Sequence, residues 1–380
     1  MILGIDASNI TTGGGLTHCK EILKSELFVK HGFKKIIIWS STNTLDQIKE
    51  NTKVIKKTHY LLNFKFIIRI FWNLFFLKKS LKKENCDILL VLGGYSLIRF
   101  RPTIIIFQNM LPFEKKELTN FGFSLRRVKL EALRFFFFNS LKKSEGIIFL
   151  SKYAFTKIKK ILKTKDKQVQ IIPHGISNNF FLKRERKCRD FNEINANEPF
   201  KIIYVSNIDM YKHQWNVVEA VSRLIYQGYH ITIDFIGGSY APALKKFEKK
   251  IESLEDSNKY ISYRGNVPHS KLHFEYLDKD LILFASSCEN LPIILLEGMA
   301  TKLPIVSSNL GPMKEVLGEH AIYFNPYDAD SIYNAIKKSI HSCNERNNHA
   351  KSLLNLSKMY SWEKVSEDTF KFIAKVNRYK

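Results

Sequence analysis

The sequence predicts an α/β protein made of two doubly wound, mainly parallel-sheet domains. Three observations carry that expectation: short apolar runs alternate with longer helical patterns along the whole chain, the alternation occurs as two successive series each about one domain long, and the stretch between them is charged and weakly apolar. The 380 residues suffice for two or three domains at about 150 residues each.

In the first series, residues 2–5, 35–39, 88–92, 103–107, 146–150 and 169–172 read as buried strands, because a parallel strand is covered on both faces and need not alternate. Residues 183–199 are charged and rich in Asn, and read as a linker. The second series places strands at 201–205, 231–235, 261–263, 281–284, 305–306 and 321–324. The expected organisation is a first domain over 1–185, a linker over 186–199, a second domain over 200–360, and a closing helix over 361–380 that can pack back on the first domain. Two such domains are expected to face one another across a cleft.

Apolar residues at 45% and charged residues at 25% exclude a disordered tail, a collagen-like fibre and a disulfide-stapled miniature. Cys19, Cys86, Cys188, Cys288 and Cys343 are odd in number, far apart and without a CxxC, so they read as reduced thiols of a cytosolic protein. The N-terminus lacks a basic region and turns polar after five residues, which suits a first strand and not a signal peptide. No apolar run reaches 18 residues, so no spanning helix is expected.

The net charge is +24, and it is unevenly placed. Residues 1–186 hold 35 Lys/Arg against 13 Asp/Glu, whereas residues 187–380 hold 25 against 23. Within the first half the basic residues interleave with large apolar ones. Residues 61–77, which include Lys65 and Arg69, are followed by Lys78, Lys79, Lys82 and Lys83; Leu133–Phe138 is followed by Lys142 and Lys143. Aromatic and leucine residues beside lysines suit the headgroup boundary of an anionic bilayer. The alternative is that both segments are core helices with solvated ends.

Gly13-Gly14-Gly15 follows the first strand and precedes a helix expected over 16–28. Glycines at such a turn let the backbone approach a ligand, and the helix N-terminus favours negative charge; a tight turn is the plainer reading. A sharper signal is Ser286-Ser287-Cys288-Glu289-Asn290-Leu291-Pro292, which follows a strand and precedes a helix expected from about Ile293. Glu289 therefore stands at the carboxyl end of a strand, where α/β sheets bind ligands, and Glu297 about one turn into the next helix. Two carboxylates there can accept hydroxyls of a sugar or ribose. Glu297 can also simply complement the helix dipole.

Glu289 and Glu297 form an E-x7-E pattern, and the segment resembles the donor-site signature of family 4 retaining glycosyltransferases, of the type that builds bacterial O-antigen or capsule. Further matches occur in order: Gly13–Gly15, Ile148–Tyr153, Ile171–Ile176, Tyr204–Ala220, Tyr263–Val267, Pro304–Glu315 and Tyr323–Pro326. The resemblance implies the GT-B fold and an enzyme that moves a hexose from a UDP- or GDP-linked sugar, without a metal or other cofactor. The implied acceptor is a saccharide, polyprenyl-diphosphate-linked or other, and the implied place is the cytoplasmic side of the cell membrane, peripherally bound to its anionic inner face. Glu289 would bind hydroxyls of the donor sugar, Glu297 the ribose, and Lys212 the diphosphate, whose leaving charge it would neutralise. Gly14 and Gly15 would offer amides to the same diphosphate, and backbone around Leu291 and Ile293 would approach the sugar. Asn207 and Gly265 complete the expected donor-binding set. Asn109 takes the place of a His-Asp pair beside the transferred sugar; it can hydrogen-bond a hydroxyl but cannot act as a base.

The pattern also departs from the family. Ser206-Asn207-Ile208-Asp209 stands where an Arg usually precedes the lysine, which leaves one charge on the diphosphate to be supplied elsewhere, His213 being one candidate. Asp278-Lys279-Asp280 precedes a strand and Asp328-Ala329-Asp330 a helix, where Asp is a common N-cap, so neither reads as a metal site. His269 and His273 have a spacing that puts both on one helix face, but no third metal ligand is evident. A nucleic-acid-binding protein would suit the basic charge but leaves E-x7-E unexplained, so no nucleic-acid partner is expected. A sugar-nucleotide epimerase of the same fold is the other alternative.

Overall fold

The computed structural model describes residues 1–162, 167–183 and 188–378. The chain forms two compact units. The first comprises Met1–Phe113, Phe123–Gly175 and Tyr360–Lys380, and the second Glu114–Gly122 and Ile176–Met359. The units divide between Gly175 and Ile176, ten residues before the break expected from sequence at 185; residues 184–187 lie outside the described residues.

The first unit holds a seven-stranded sheet: β1 (Ile2–Asp6), β2 (Lys35–Trp39), β3 (Val54–Lys57), β4 (Ile88–Val91), β5 (Thr103–Phe107), β6 (Gly146–Phe149) and β7 (Gln168–Ile171). Its order is β3-β2-β1-β4-β5-β6-β7 and every pairing is parallel. The order reverses between β1 and β4. Six of these strands are legible as apolar runs; β3 is not, because Lys56 and Lys57 make half of it polar. That suits its place at the sheet edge, where charged side chains discourage further pairing.

The second unit repeats the plan with β8 (Phe200–Val205), β9 (Ile231–Ile236), β10 (Ile261–Tyr263), β11 (Leu281–Phe284), β12 (Ile305–Ser308) and β13 (Ile322–Phe324). Its order is β10-β9-β8-β11-β12-β13, again all parallel, with the reversal between β8 and β11. Residues 188–199 are fixed to this unit by Arg189, which donates to Asp280 Oδ1 (3.2 Å) and to the carbonyls of Glu198 (3.1 Å) and Pro199 (2.7 Å).

The last helix, Trp362–Arg378, packs in the first unit against the helices Gly13–Lys24 and Leu27–Lys30, with Phe370 edge-on to Phe28 at 5.7 Å. The glycine run is itself the first turn of Gly13–Lys24, not a loop ahead of it, and the helix stops at Lys24 because Ser25 turns extended (φ −99°, ψ 152°).

The basic, aromatic segment forms one continuous helix: Phe66–Trp72, a π-turn over Asn73–Leu77, and Lys78–Lys83. Trp72, Asn73, Leu77 and Leu81 are buried. Ile67, Phe71 and Phe75 point away at 71%, 58% and 58% exposure, four residues apart and so on one face. In the helix Leu125–Lys143, Leu133 and Phe137 are buried, while Leu125, Val128 and Phe135 are exposed. No described helix is long and apolar enough to cross a membrane.

Candidate functional site

In the second unit the loops leaving β8 and β11 meet where the strand order reverses. Lys212, at the end of one, donates to Glu289 Oε1 on the other, 77 positions away. Both side chains are largely enclosed, at 10% and 15% exposure, and the rings of Tyr211 and Phe284 lie 5.2 and 5.1 Å from the ammonium. The loops are pinned around this pair. Ser287 N donates to Tyr211 O at 2.9 Å, and Tyr204 Oη to Lys212 O at 2.7 Å. His213 adopts a left-handed backbone (φ 53°) that begins the helix Gln214–Tyr226 and brings its ring nitrogen 2.8 Å from Ser287 Oγ. Such a backbone is uncommon outside glycine, and the loop holds it in place. An ammonium and a carboxylate so placed can part to receive a phosphate oxygen and a hydroxyl respectively.

His213 does not supply the missing positive charge. Burial, with the nearby ammoniums of Lys246 and Lys116, pushes its pKa down to about 4, so the ring is neutral at pH 7. Another cation near His213, which the sequence pattern does not mark, lies in residues 114–122. There Glu117, buried, accepts from Tyr327 Oη and from Asn120 Nδ2 (3.0 Å), and Lys116 Nζ lies 3.4 Å from the centre of the Tyr327 ring. Tyr327 in turn meets His213 edge-on at 4.7 Å. Nothing in the local sequence of 114–122 marks a segment bound to the second unit, because its partners are some 200 positions away.

Glu297 lies in the helix Ile293–Ala300 and is fully enclosed. His269 approaches its Oε1 at 2.6 Å, while its Oε2 is buried without a hydrogen-bond partner. Burial raises the Glu297 carboxyl above the usual range, and the histidine acts in the opposite direction. His269 begins a 3-10 helix, His269–Tyr276, and its ring packs on Phe180 at 5.6 Å. Leu291 and Ile293 are buried beside it in sequence. Asn207 Oδ1 accepts from Gly238 N (3.1 Å), and Gly265 O accepts from Gly237 N (2.8 Å), so these two predicted donor-site residues meet through the glycine pair after β9. Gly265 has φ +64°, which favours glycine on backbone grounds although space for a side chain is open.

The Asp pairs have other partners. Asp328 caps the helix Ala329–His341 by accepting from Asp330 N at 2.9 Å, as expected. Asp278 pairs with Lys279 at 2.8 Å, and Asp280 with Arg189.

In the first unit, a side chain at Gly15 would meet Gln108 Oε1 at 3.0 Å and Ile10 Cδ1 at 3.2 Å, so the close approach excludes a larger residue unless these give way. Gly14 precedes it in the same helical turn. Asn109 is exposed, but its Oδ1 accepts from Leu111 N (3.0 Å), which leaves its amide nitrogen to meet a hydroxyl.

Residues 186–352 match the family glycosyl transferases group 1. Among curated proteins, the chain is 28% identical over 150 residues to the phosphatidylinositol N-acetylglucosaminyltransferase GPI3 subunit of Saccharomyces cerevisiae, covering 39% of this chain and 33% of that one. It is 23% identical over 206 residues to the O-antigen chain mannosyltransferase RfbU of Salmonella typhimurium, covering 54% and 53%. The chain thus spans about a third to a half of the length of these relatives. A solved sucrose-phosphate synthase from Thermosynechococcus elongatus is similar over the full length of both chains, with a TM-score of 0.78 at 15% identity, a likeness that shows the two-domain GT-B fold.

Proposed function

With a group 1 glycosyl transferase domain over residues 186–352 as the premise, we propose that the protein transfers a hexose from a UDP- or GDP-linked donor to a lipid-linked saccharide. The reaction proceeds with retention of configuration, without a metal, in the manner of family 4 enzymes that build surface glycans. The single observation that carries this reading is the meeting of Lys212 with Glu289, two residues assigned to one donor from sequence and 77 positions apart. In the free protein each neutralises the other. When the donor binds, the ammonium turns to the diphosphate and stabilises the charge that develops as the glycosidic bond breaks. The released carboxylate accepts hydroxyls of the hexose and fixes its orientation. Glu297, set by His269, receives the ribose, and Lys116 adds the second cation that the loop after β8 lacks. The leaving phosphate oxygen takes the acceptor proton on the same face of the sugar, so no side-chain base is needed.

The acceptor is lipid-linked and the protein rests on the cytoplasmic face of an anionic membrane. Supporting this is the outward stripe Ile67–Phe71–Phe75 with Lys78, Lys79 and Lys82 continuing along it: apolar groups for the acyl boundary and ammoniums for the headgroups. The test is a transfer assay over a panel of nucleotide sugars, with a polyprenyl-diphosphate saccharide in vesicles as acceptor and the anomeric configuration of the product read by NMR. One donor used with retention supports the reading, and hydrolysis or epimerisation without transfer would overturn it.

A further inference from the structure

In the first unit the strand order reverses between β1 and β4, and open parallel sheets bind ligands beyond the carboxyl ends of the strands at such a point. The helix 66–83 roofs this place and reaches down into it with two polar side chains. Asn73, buried, donates to Asp6 Oδ2 (2.8 Å) at the end of β1 and accepts from Leu97 N (2.9 Å) beyond β4. Arg69, one turn earlier, donates to Ser8 O (3.3 Å) and to Phe64 O (2.8 Å). The π-turn begins at Asn73, so the local widening of the helix coincides with the residue that anchors it.

Phe66 packs against Tyr95, just after β4, at 6.4 Å between ring centres. Lys129, from the helix Leu125–Lys143, sets its ammonium 4.5 Å from the centre of the same Phe66 ring. Arg69 stands three positions from Phe66 on the same helix, its guanidinium held by the carbonyls of Phe64 and Ser8, and it lies close enough to Lys129 for the two cations to repel one another. Among the described residues neither makes an ion pair with a carboxylate. Desolvation, together with repulsion from Arg126 and Arg69, holds the Lys129 ammonium below the usual lysine range. Two like charges gathered with no carboxylate in direct contact disfavour the folded state, Asp6 being held instead by Asn73 and Ser8, and an anion would relieve them.

The surroundings say which anion. The bare stripe of Ile67, Phe71 and Phe75 starts on the same helix turn as Arg69, and exposed Leu125 and Val128 start on the same turn as Lys129. A free nucleotide or inorganic phosphate has no use for that apolar surface. A bilayer surface needs charges that face outward, whereas Arg69 is bonded inward to the loop after β1. An amphiphile with a phosphate head and a long hydrocarbon tail uses both features at once.

We propose that Arg69 and Lys129 bind the phosphate or diphosphate of a lipid-linked acceptor at the β1–β4 crevice, with its hydrocarbon tail along Ile67, Phe71 and Phe75. The inference rests on the lipid-linked acceptor named above and assigns it a site. The test measures co-sedimentation of the full chain with phosphatidylcholine vesicles doped either with a long-chain polyprenyl phosphate or with phosphatidylglycerol, at matched surface charge. The protein should prefer the polyprenyl phosphate vesicles by about tenfold or more. The double variant Arg69→Gln with Lys129→Gln, and the milder Lys129→Gln alone at an exposed position, should bring the ratio toward one. Lys78→Gln with Lys79→Gln should weaken binding to both vesicles and keep the ratio. A wild-type ratio near one, or a ratio that the Arg69 and Lys129 changes leave intact in a folded variant, overturns the site while leaving membrane contact standing. Failure to bind either vesicle overturns the lipid-linked acceptor itself.

Discussion

The two units share one strand plan and treat its reversal point in opposite ways. In the second, the loops beyond β8 and β11 close on a neutralised pair, Lys212 with Glu289, inside a half of the chain whose 25 basic and 23 acidic residues nearly cancel. In the first, the loops beyond β1 and β4 lie under a helix whose outer face is bare and whose charges lack carboxylate partners among the described residues, in a half with 35 basic residues against 13 acidic. One scaffold thus supports two chemistries. A paired ammonium and carboxylate can be exchanged for a polar ligand that brings both a phosphate and hydroxyls. Uncompensated cations beside exposed rings suit a ligand that brings anionic charge and grease together.

The largest effect expected from breaking this contrast is at the closed pair. Lys212→Ala or Glu289→Ala should lower turnover by about 10²–10³, as removal of a group stabilising transition-state charge does elsewhere. The double variant should lose little more than either single one, since each serves the same bound donor. Steady-state kinetics on the three variants checks this, with thermal unfolding to show that they remain folded.

On the open side, Phe71→Ser with Phe75→Ser should weaken binding to anionic vesicles by about tenfold or more, from the apolar area each ring places in the boundary. Because both rings are exposed, stability should change by no more than about 0.5 kcal/mol. Vesicle co-sedimentation and chemical denaturation measure the two quantities.

A smaller effect concerns His269. Its contact with Glu297 Oε1 leaves Oε2 for a ribose hydroxyl, so His269→Ala should weaken nucleoside diphosphate binding by about three- to tenfold. The loss should be less for the 2′-deoxy nucleotide, and calorimetric titration of the two ligands reads the difference directly. A histidine that only filled space would weaken both equally.

A further effect, on stability and not on ligand binding, is a pH dependence that separates the two regions. His18 in the first unit and His213 in the second both have pKa values pushed down to about 4, the first by burial alone and the second by burial with Lys246 and Lys116. A histidine whose pKa falls on folding binds fewer protons in the native state, so stability is highest above its ordinary value of 6.5 and drops as pH falls from 6.5 toward 4. Each group should contribute about 1–3 kcal/mol to that drop. Denaturation curves between those limits should show it, and His213→Gln should remove one share. Added salt should lessen the His213 share, which has a Coulombic part, and leave that of His18 unchanged.

Much of this was legible in the sequence, for identifiable physical reasons. Twelve of the thirteen strands overlap the apolar stretches read from the sequence, most of them buried central strands; β3 does not, because an edge strand carries lysines that a central one could not. Glu289 and Glu297 stand out because a carboxylate among Leu, Ile and Pro needs a partner, whereas Lys212 is picked out only by the family resemblance of the residues around it. What stayed hidden depends on contacts between distant segments. His269 meets Glu297 across 28 positions, and residues 114–122 join the second unit through Glu117 and Tyr327 across 210. No local period or motif encodes such meetings. Helix 66–83 is the intermediate case: its composition announces an unusual surface, but only the placement of Asn73 and Arg69 against the loop of β1 gives it an inner face with work to do.

The most direct test is calorimetric titration of UDP- and GDP-hexoses into the wild-type chain and into Lys212→Ala. The account predicts that one sugar nucleotide binds the wild type, with affinity lowered about a hundredfold by the substitution. Equal affinity in the two proteins would contradict the claim that this ammonium holds the activated sugar.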